Sequence, residues 1–144
     1  MKVYKKGDVI FEEGKKDLPV MFDIWYGRVG IFKNYGTSSE VKLSELKEEY
    51  FGEMALVRDD VRSATAVALE ETGLVPIGKE EMQSYFIENP YKMDIFLRTM
   101  SSRIRARGVD YMKACECIDE YRKAEQEGKT QDPELLKRMK TFVK

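Results

Sequence analysis

The stretch Phe51-Gly52-Glu53-Met54-Ala55-Leu56, followed by Arg62-Ser63-Ala64-Thr65, decides how this chain is interpreted. The second segment opens an alternating run, so that one face of a predicted strand carries Arg62, Ala64, Ala66 and Ala68. Small side chains leave space above a sheet. An Arg placed over such an apolar surface needs an anion, because an unpaired buried charge is costly. The pattern therefore predicts an anionic partner for Arg62.

Two kinds of partner are open to Arg62 on spacing alone. A carboxylate of the chain itself, from Glu53, Asp59 or Asp60, would make the motif a fixed turn. A bound phosphate is the other possibility, because the planar guanidinium can bind two phosphate oxygens and keeps its charge near neutral pH.

The two segments resemble the phosphate-binding cassette of the cyclic nucleotide-binding domain family. In that cassette Phe-Gly-Glu, an apolar residue and Ala-Leu precede a short loop, and an Arg followed by small residues comes next. Upstream, residues 7–14 and 21–29 resemble the first two hairpins of the family. The resemblance covers about the first two thirds of the chain and implies a jelly-roll (double-stranded β-helix) barrel followed by helices.

The resemblance also implies roles for individual residues. Glu53 would accept a hydrogen bond from the ribose 2′-hydroxyl, and Arg62 would pair with the exocyclic oxygens of the cyclic phosphate. Gly52 would let the backbone approach the ligand closely. Ser63 could join the cradle only if regular strand pairing begins after it. The remaining expected contacts are Phe51, Met54, Ala55, Ala64 and, at the base, Arg107.

Base recognition is less defined than phosphate recognition. Arg107 and Gly108 stand where bacterial activators of this type place a hydroxyl pair over the purine. The Arg107 side chain could stack on the base, or it could reach solvent or Asp110 instead. The sequence therefore leads us to expect cAMP as the ligand, with cGMP as the alternative.

Composition limits the other classes of function. The chain has 144 residues, which suits one domain, and its 25 basic residues nearly balance 26 acidic ones. It contains no His, so we expect no metal site and no cofactor. Nucleophilic catalysis would also lack its most versatile base, and we do not expect an enzyme.

Membrane insertion and disulfide bonding are not expected either. Met1 is followed at once by the strand-like Lys2-Val3-Tyr4, and no run approaches the ~20 apolar residues of a membrane span. Cys115 and Cys117 lie two residues apart on a predicted helix and point in different directions. The sequence predicts a cytoplasmic protein with reduced thiols, and a disulfide bond to a second chain is the alternative.

The pattern of elements is mainly β with C-terminal helices. Short β-rich runs predict strands at 8–11, 20–25, 28–33, 41–46, 63–70 and 73–77, with hairpin turns at Gly27 and at 34–39. Helical patterns predict a short helix at 79–87, a long helix from Pro90 to Gly128, and a short basic helix at 132–140. We predict a nucleotide-binding β-roll with a short helix at 1–90, the long helix at 91–128 and the terminal helix at 129–144.

The predicted long helix carries a stripe that recurs at steps of three and four residues: Leu97, Met100, Ile104, Arg107, Tyr111, Ala114, Ile118 and Tyr121. The stripe could pack on its own barrel, at least in its first half. For the second half we predict a two-fold homodimer. Gly108 lies within the stripe and predicts a close helix contact or a hinge.

Together these features predict a cyclic nucleotide-sensing regulatory module. It would signal through its long helix and would have no DNA-binding domain of its own. The alternative is a barrel of the same fold that binds no nucleotide and serves as a dimerisation or protein-interaction scaffold. DNA binding through the basic terminal helix is the least expected function, and it would show a steep dependence on salt.

Overall fold

The computed structural model describes residues 1–57, 61–128 and 137, and for Tyr111, Tyr121 and Glu125 the backbone alone. In this part of the chain the strands are β1 Lys2–Tyr4, β2 Val9–Phe11, β3 Val20–Tyr26, β4 Val29–Lys33, β5 Val41–Leu46, β6 Tyr50–Phe51, β7 Thr65–Ala68 and β8 Thr72–Gly78. Helix α1 (Met54–Val57) lies between β6 and β7. Helices α2 (Met82–Glu88) and α3 (Pro90–Gln126) follow β8.

The strands form two four-stranded sheets in which the strand orders are β1-β8-β3-β6 and β2-β7-β4-β5. All the strand pairs are antiparallel. This arrangement of two sheets followed by a long helix confirms the predicted jelly roll with C-terminal helices. The strand and helix patterns of the sequence indicated a β structure with C-terminal helices, and the family resemblance narrowed this class to a jelly roll.

Residues Met1–Thr99 form one compact unit. Two apolar clusters hold this unit together. One cluster lies between the sheets and contains, among others, Phe11, Phe22 and Phe51. The second cluster, with Met21, Tyr50, Ile77 and Phe86, involves strands of the first sheet, helix α2 and the start of α3. Met21 and Phe22 are neighbours in β3 but join different clusters, because successive side chains of a strand point to opposite faces.

Three details of the strand prediction were wrong. Strand β6 is only two residues long and was not predicted, because so short a strand shows no period. Gly27 does not form a hairpin, since β3 and β4 belong to different sheets and are not paired. Instead it turns the chain from one sheet to the other at φ +85°, where a Cβ would come within 2.5 Å of the Glu71 carbonyl oxygen. Ala66 and Ala68 lie inside the core and not below open space.

The helices follow the predicted pattern with shifted ends. Helix α2 starts at Met82, three residues later than predicted, and Glu81 is its N-cap residue. Helix α3 runs without interruption through Gly108, where an added Cβ would meet no atom of the described residues within 4 Å. The close helix contact or hinge predicted at Gly108 stays a prediction, because a contact with a partner helix lies outside a single chain. The predicted terminal helix at 132–140 lies outside the described residues, apart from residue 137.

The second compact unit comprises Met100–Lys144. Its described part is the remainder of α3, with Cys117 buried, Cys115 half-buried and both thiols free. No helix in the described ranges combines the length and the apolar character that crossing a membrane requires. The same ranges contain no cluster of three or more His, Cys, Asp or Glu side chains placed to hold a metal ion. The predicted boundaries at residues 90 and 128 remain predictions.

Candidate functional site

The side chain of Arg62 is buried, with 6% of its surface exposed, and is held by backbone carbonyls. Its Nη1 donates to the Gly52 oxygen at 3.3 Å. Its Nη2 donates to the oxygens of Leu18 at 3.0 Å and Val20 at 3.1 Å. The guanidinium carbon also lies 4.3 Å from the centre of the Phe11 ring, within the range of a cation–π contact. Among the described residues, all the groups in direct contact with the guanidinium in these interactions are therefore neutral.

The backbone around Arg62 explains why its side chain is directed here. Its N–H donates to the Lys15 oxygen at 3.0 Å, and its own oxygen accepts from the Gly14 N–H at 2.8 Å. Arg62 is thereby fixed against the turn that follows β2, the strand that carries Phe11. Regular pairing of β7 begins only at Thr65. Arg62 therefore lies in the irregular segment before β7, and its side chain is directed toward the core.

No carboxylate of the described residues lies within ion-pair distance of Arg62. In particular, the ion pair with Glu53 that the sequence left open is not formed. Asp59 and Asp60, the other two candidates, lie outside the described residues. Burial lowers the pKa of the Arg62 guanidinium, and the negative charge of Asp17 acts in the opposite direction. The site is thus a buried cation with a modest electrostatic compensation from Asp17.

Part of the donor capacity of Arg62 is still available. A guanidinium has five N–H donors, of which three are directed to the carbonyls described above. The Nε atom is buried and has no hydrogen-bond partner among the described residues. Buried polar groups are nearly always hydrogen-bonded, so an unpaired Nε–H is unusual. The chemistry that satisfies it best is an anion with several oxygen acceptors.

Gly52 allows the backbone to lie against the guanidinium. Its φ is +77°, a conformation that L residues rarely adopt. A Cβ at this position would lie 3.1 Å from Arg62 Nη1 and 3.5 Å from both the Phe11 ring and the Val20 oxygen. Helix α1 starts immediately afterwards, with the Ala55 N–H donating to the Gly52 oxygen at 3.2 Å. The Gly52 oxygen therefore accepts from both α1 and Arg62.

The other predicted site residues occupy different environments. Phe51 is buried, and its ring centre lies 5.8 Å from that of Phe11 and 5.2 Å from that of Phe22. It therefore supports the site from the core. Glu53 and Ala55 are half-buried, and Met54 and Ser63 are exposed, whereas Ala64 is buried. Because β7 starts at Thr65, Ser63 precedes regular pairing, as its expected role requires.

Arg107 is exposed on α3 and belongs to the second compact unit. The structure thus brings Phe51, Gly52 and Arg62 together in the first unit. The expected role of Arg107 stays a prediction.

Sequence reasoning missed several members of the seat. Phe11 was assigned only to a strand, although its ring lies under the Arg62 guanidinium. The carbonyls of Leu18 and Val20 also escaped notice, because every residue carries a carbonyl and no side chain marks the ones that are used.

A separate cavity of about 410 Å³ is lined by Val9, Glu12, Glu13, Asn34, Tyr35 and Thr65. Its Glu13 carboxylate accepts from Lys33 Nζ at 2.7 Å and from the Asn34 N–H at 2.9 Å. Both interactions lower the pKa of Glu13, the Lys33 hydrogen bond most strongly. With two acidic side chains in its lining, this cavity does not suit an anion. It is therefore distinct in character from the Arg62 site.

Comparison with known proteins supports the fold. A family model, the cyclic nucleotide-binding domain, matches residues 1–89. The Cyclic AMP receptor protein of Thermus thermophilus is 30% identical over 106 residues, which cover 72% of this chain and 48% of that protein. The cGMP-dependent protein kinase 2 of Homo sapiens is 39% identical over 69 residues, which cover 46% of this chain and 9% of the kinase. The chain spans less than two thirds of either relative.

Solved structures with the same fold give a consistent result. The Thermus thermophilus Catabolite Activator Protein matches with a TM-score of 0.61 at 27% identity, covering 81% of this chain and 55% of that one. The cAMP-bound form of the EAL enzyme Bd1971 matches with a TM-score of 0.52 at 26% identity, covering 88% of this chain and 33% of that one.

Proposed function

Because the chain belongs to the cyclic nucleotide-binding domain family, we propose that it binds a cyclic nucleotide at Arg62 and serves as a regulatory sensor. The observation that carries this proposal is the buried guanidinium of Arg62, which contacts carbonyls and a phenyl ring and has no carboxylate of the described residues within ion-pair distance. A buried charge of this kind gains most from a partner of opposite charge. A cyclic phosphate is a monoanion of suitable size.

The geometry of the guanidinium defines how a phosphate would enter. A guanidinium can bind two oxygens of one anion along two edges, Nε with Nη2 or Nη1 with Nη2. Both edges include Nη2, and both of its N–H groups already donate to the oxygens of Leu18 and Val20. Bidentate binding therefore replaces at least one carbonyl by a phosphate oxygen. The exchange is favourable because hydrogen bonds between two charged groups are shorter and stronger than those to a neutral carbonyl.

The remaining contacts follow the roles that the family cassette implies. Glu53 would accept a hydrogen bond from the ribose, Gly52 would allow close approach, and Ser63 with Ala64 would complete the phosphate cradle. Met54 and Ala55 of α1 would contact the nucleotide, while Phe51 would hold the cassette to the core. Arg107 would contact the base. These assignments are part of the proposal.

Within the proposal we favour cAMP over cGMP. The match to the Cyclic AMP receptor protein covers 72% of this chain, whereas the match to the cGMP-dependent kinase covers 46%. The structural match to a protein in its cAMP-bound form extends over 88% of the chain. These similarities support cAMP as the first ligand to test, with cGMP beside it.

Signalling would pass through α3 in a homodimer. Three apolar side chains of the predicted stripe are exposed on this single chain, Leu97 by 56%, Ile104 by 73% and Ile118 by 45%. Apolar side chains in such a row are typical of a helix that packs against a partner. Light scattering on Ile104→Asp should therefore show a shift toward monomer relative to the wild type. An unchanged mass would contradict the homodimer.

Calorimetry with cAMP and with cGMP tests the proposed function. Arg62→Ala should weaken binding by about 2–5 kcal/mol, the usual effect of removing one member of a buried charge pair. Arg98→Ala is the matched control, because Arg98 lies in the same compact unit and pairs with Asp94 on the surface. It should bind like the wild type.

Two outcomes would refute the proposal. If Arg62→Ala bound as tightly as the wild type, the assigned pocket would be wrong. If the wild type bound neither nucleotide and neither raised its melting temperature, the scaffold alternative would replace the sensor.

A further inference from the structure

A second buried charged group lies on the strand that carries the Val20 carbonyl. Asp23 in β3 is 1% exposed, and its carboxylate accepts from Lys92 Nζ at 2.9 and 3.1 Å. Lys92 belongs to the first turn of α3 and is 8% exposed. Tyr85 of α2 donates its hydroxyl hydrogen to Asp23 Oδ2, one of the two oxygens that Lys92 contacts. We call Asp23, Tyr85 and Lys92 the latch; the proposed nucleotide contacts include none of them.

The latch joins two helices to the first sheet in an all-or-none manner. A buried ion pair adds little net stability, yet removing one partner is expensive because the other charge is left without compensation. Lys92 therefore cannot move away gradually while Asp23 stays buried. Burial and the hydrogen bond to Asp23 raise the pKa of Tyr85, so this hydroxyl remains a donor across the physiological range. The helices are either seated with all three groups in contact or separated from the sheet at this point.

Strand β6 connects the latch to the Arg62 site. In the β3–β6 pair Tyr50 lies opposite Asp23, and Phe51 lies opposite Phe22. The Tyr50 hydroxyl donates to the Lys92 oxygen at 3.2 Å. Gly52 follows β6 directly, and its oxygen accepts from Arg62. One end of this strand pair is thus fixed by the latch and the other by Arg62.

The strand pair itself is short, with two registered positions. Few ladder hydrogen bonds hold β6 in place, so its position depends on the burial of Tyr50 and Phe51 in the two apolar clusters and on the contacts at its two ends. Arg62 bonds to both strands, through Val20 of β3 and Gly52 next to β6. Any change in the carbonyl contacts of Arg62 therefore acts on the strand pair that carries Asp23 on β3 and Tyr50 on β6.

We propose that the latch is seated while Arg62 bonds to backbone carbonyls and is released when an anion draws the guanidinium away from them. The dependence of the latch on Arg62 stands on the geometry alone, whereas its release by a cyclic nucleotide rests on the proposed function. A ligand that must release the latch binds more weakly than its contacts alone would allow. Loosening the latch therefore raises the affinity for the ligand.

Hydrogen exchange on the 144-residue chain tests the link to Arg62 without any nucleotide. The reporters are the amide of Tyr85 in α2, which donates to the Glu81 oxygen, and the amide of the α2 C-cap residue Asn89, which donates to the Tyr85 oxygen. In Arg62→Gln these amides should exchange about fivefold faster relative to the β8 amides, which report on the barrel. Arg62→Lys keeps the positive charge but not the planar set of guanidinium donors. It should show the same relative increase in amide exchange, and it replaces Arg62→Gln if that variant does not fold. Equal factors for α2 and β8 would overturn the link.

Nucleotide affinity in Tyr85→Phe tests the release. Removing this hydroxyl weakens the latch without leaving a charge unpaired, and binding should tighten about fivefold. Tyr91→Phe is the control, because Tyr91 is 58% exposed and its ring, 5.9 Å from Lys92 Nζ, is retained. Unchanged or weaker binding in Tyr85→Phe would refute the release. If the wild type bound no nucleotide, the proposed function would be refuted. The hydrogen-exchange experiment would still test whether the latch depends on Arg62.

Discussion

Gly52→Ala tests whether the backbone before α1 must approach Arg62 as closely as the structure shows. The change adds one methyl group at a residue with φ +77°. That methyl carbon would lie 3.1 Å from Arg62 Nη1, closer than ordinary van der Waals contact. The substitution therefore has two effects, strain in the backbone and displacement of the guanidinium.

Gly36→Ala separates the two effects. Gly36 lies between β4 and β5 with a φ of +76°, and an added Cβ would meet nothing of the described residues within 4 Å. It should therefore show the backbone strain alone, about 1–2 kcal/mol in the free energy of unfolding. Gly52→Ala should lose a further amount of about 1.5–3 kcal/mol, because the hydrogen bond from Arg62 Nη1 to the Gly52 oxygen is disturbed. The expected totals are about 1–2 kcal/mol for Gly36→Ala and about 2.5–5 kcal/mol for Gly52→Ala.

Urea unfolding measures both losses, and calorimetry with cAMP measures the effect on binding. Gly36→Ala should bind like the wild type, while Gly52→Ala should bind at least about tenfold more weakly, a difference of about 1.4 kcal/mol. Equal losses of stability in the two variants would mean that the added methyl does not disturb Arg62. Wild-type affinity in Gly52→Ala would show that the nucleotide does not bind beside this residue.

Three further predictions concern stability. Lys92→Met leaves Asp23 buried without its cation and should lower the free energy of unfolding by about 3–5 kcal/mol in urea denaturation; a loss below about 1 kcal/mol would contradict the buried pair. Gly73→Ala would place a methyl carbon 2.2 Å from the exposed Tyr26 ring, so thermal unfolding should show a free energy of unfolding lower by about 1–3 kcal/mol if the ring keeps its place. The double variant Gly73→Ala with Tyr26→Ala should recover much of this loss, because the ring is removed. The folded-state pKa of Glu13 lies below its ordinary value of 4.5. The ionised carboxylate therefore contributes fully to the free energy of unfolding above pH 4.5, and this contribution is lost as the pH falls through the folded-state pKa. Acid titration of Glu13→Gln should show a smaller loss of stability below pH 4.5 than the wild type, and parallel curves would contradict the Lys33 contact.

The sequence predicted the fold where the pattern was long enough to show a period. Strand β5 was predicted at its observed bounds, because the six-residue run from Val41 to Leu46 is β-rich and follows the turn residues of 34–39. Strand β6 escaped because two residues have no period. Gly27 was misassigned because a glycine with positive φ serves equally in a hairpin and in a crossing between sheets. Local sequence does not specify which strand becomes the neighbour.

Prediction of the site was limited in a different way. The cassette pattern identified Arg62 and Gly52, and the structure places them against each other. The carbonyls of Leu18 and Val20 and the ring of Phe11 could not be assigned to Arg62, because these contacts join segments more than forty residues apart. The latch had no sequence signal either. Asp23 and Lys92 are ordinary charged residues until the fold buries them together.

Because Arg62 contacts neutral oxygens, the composition of the buffer should affect ligand binding and stability in solution. The Arg62 guanidinium has no carboxylate of the described residues within ion-pair distance, and only the more distant charge of Asp17 compensates it. It can therefore bind small oxyanions of the buffer, sulfate and inorganic phosphate included. Such ions compete with a nucleotide by mass action, and they raise the melting temperature to the extent that they occupy the site. Affinities measured in chloride and in phosphate should therefore differ by more than general screening explains, and the size of that difference measures how accessible Arg62 is in solution.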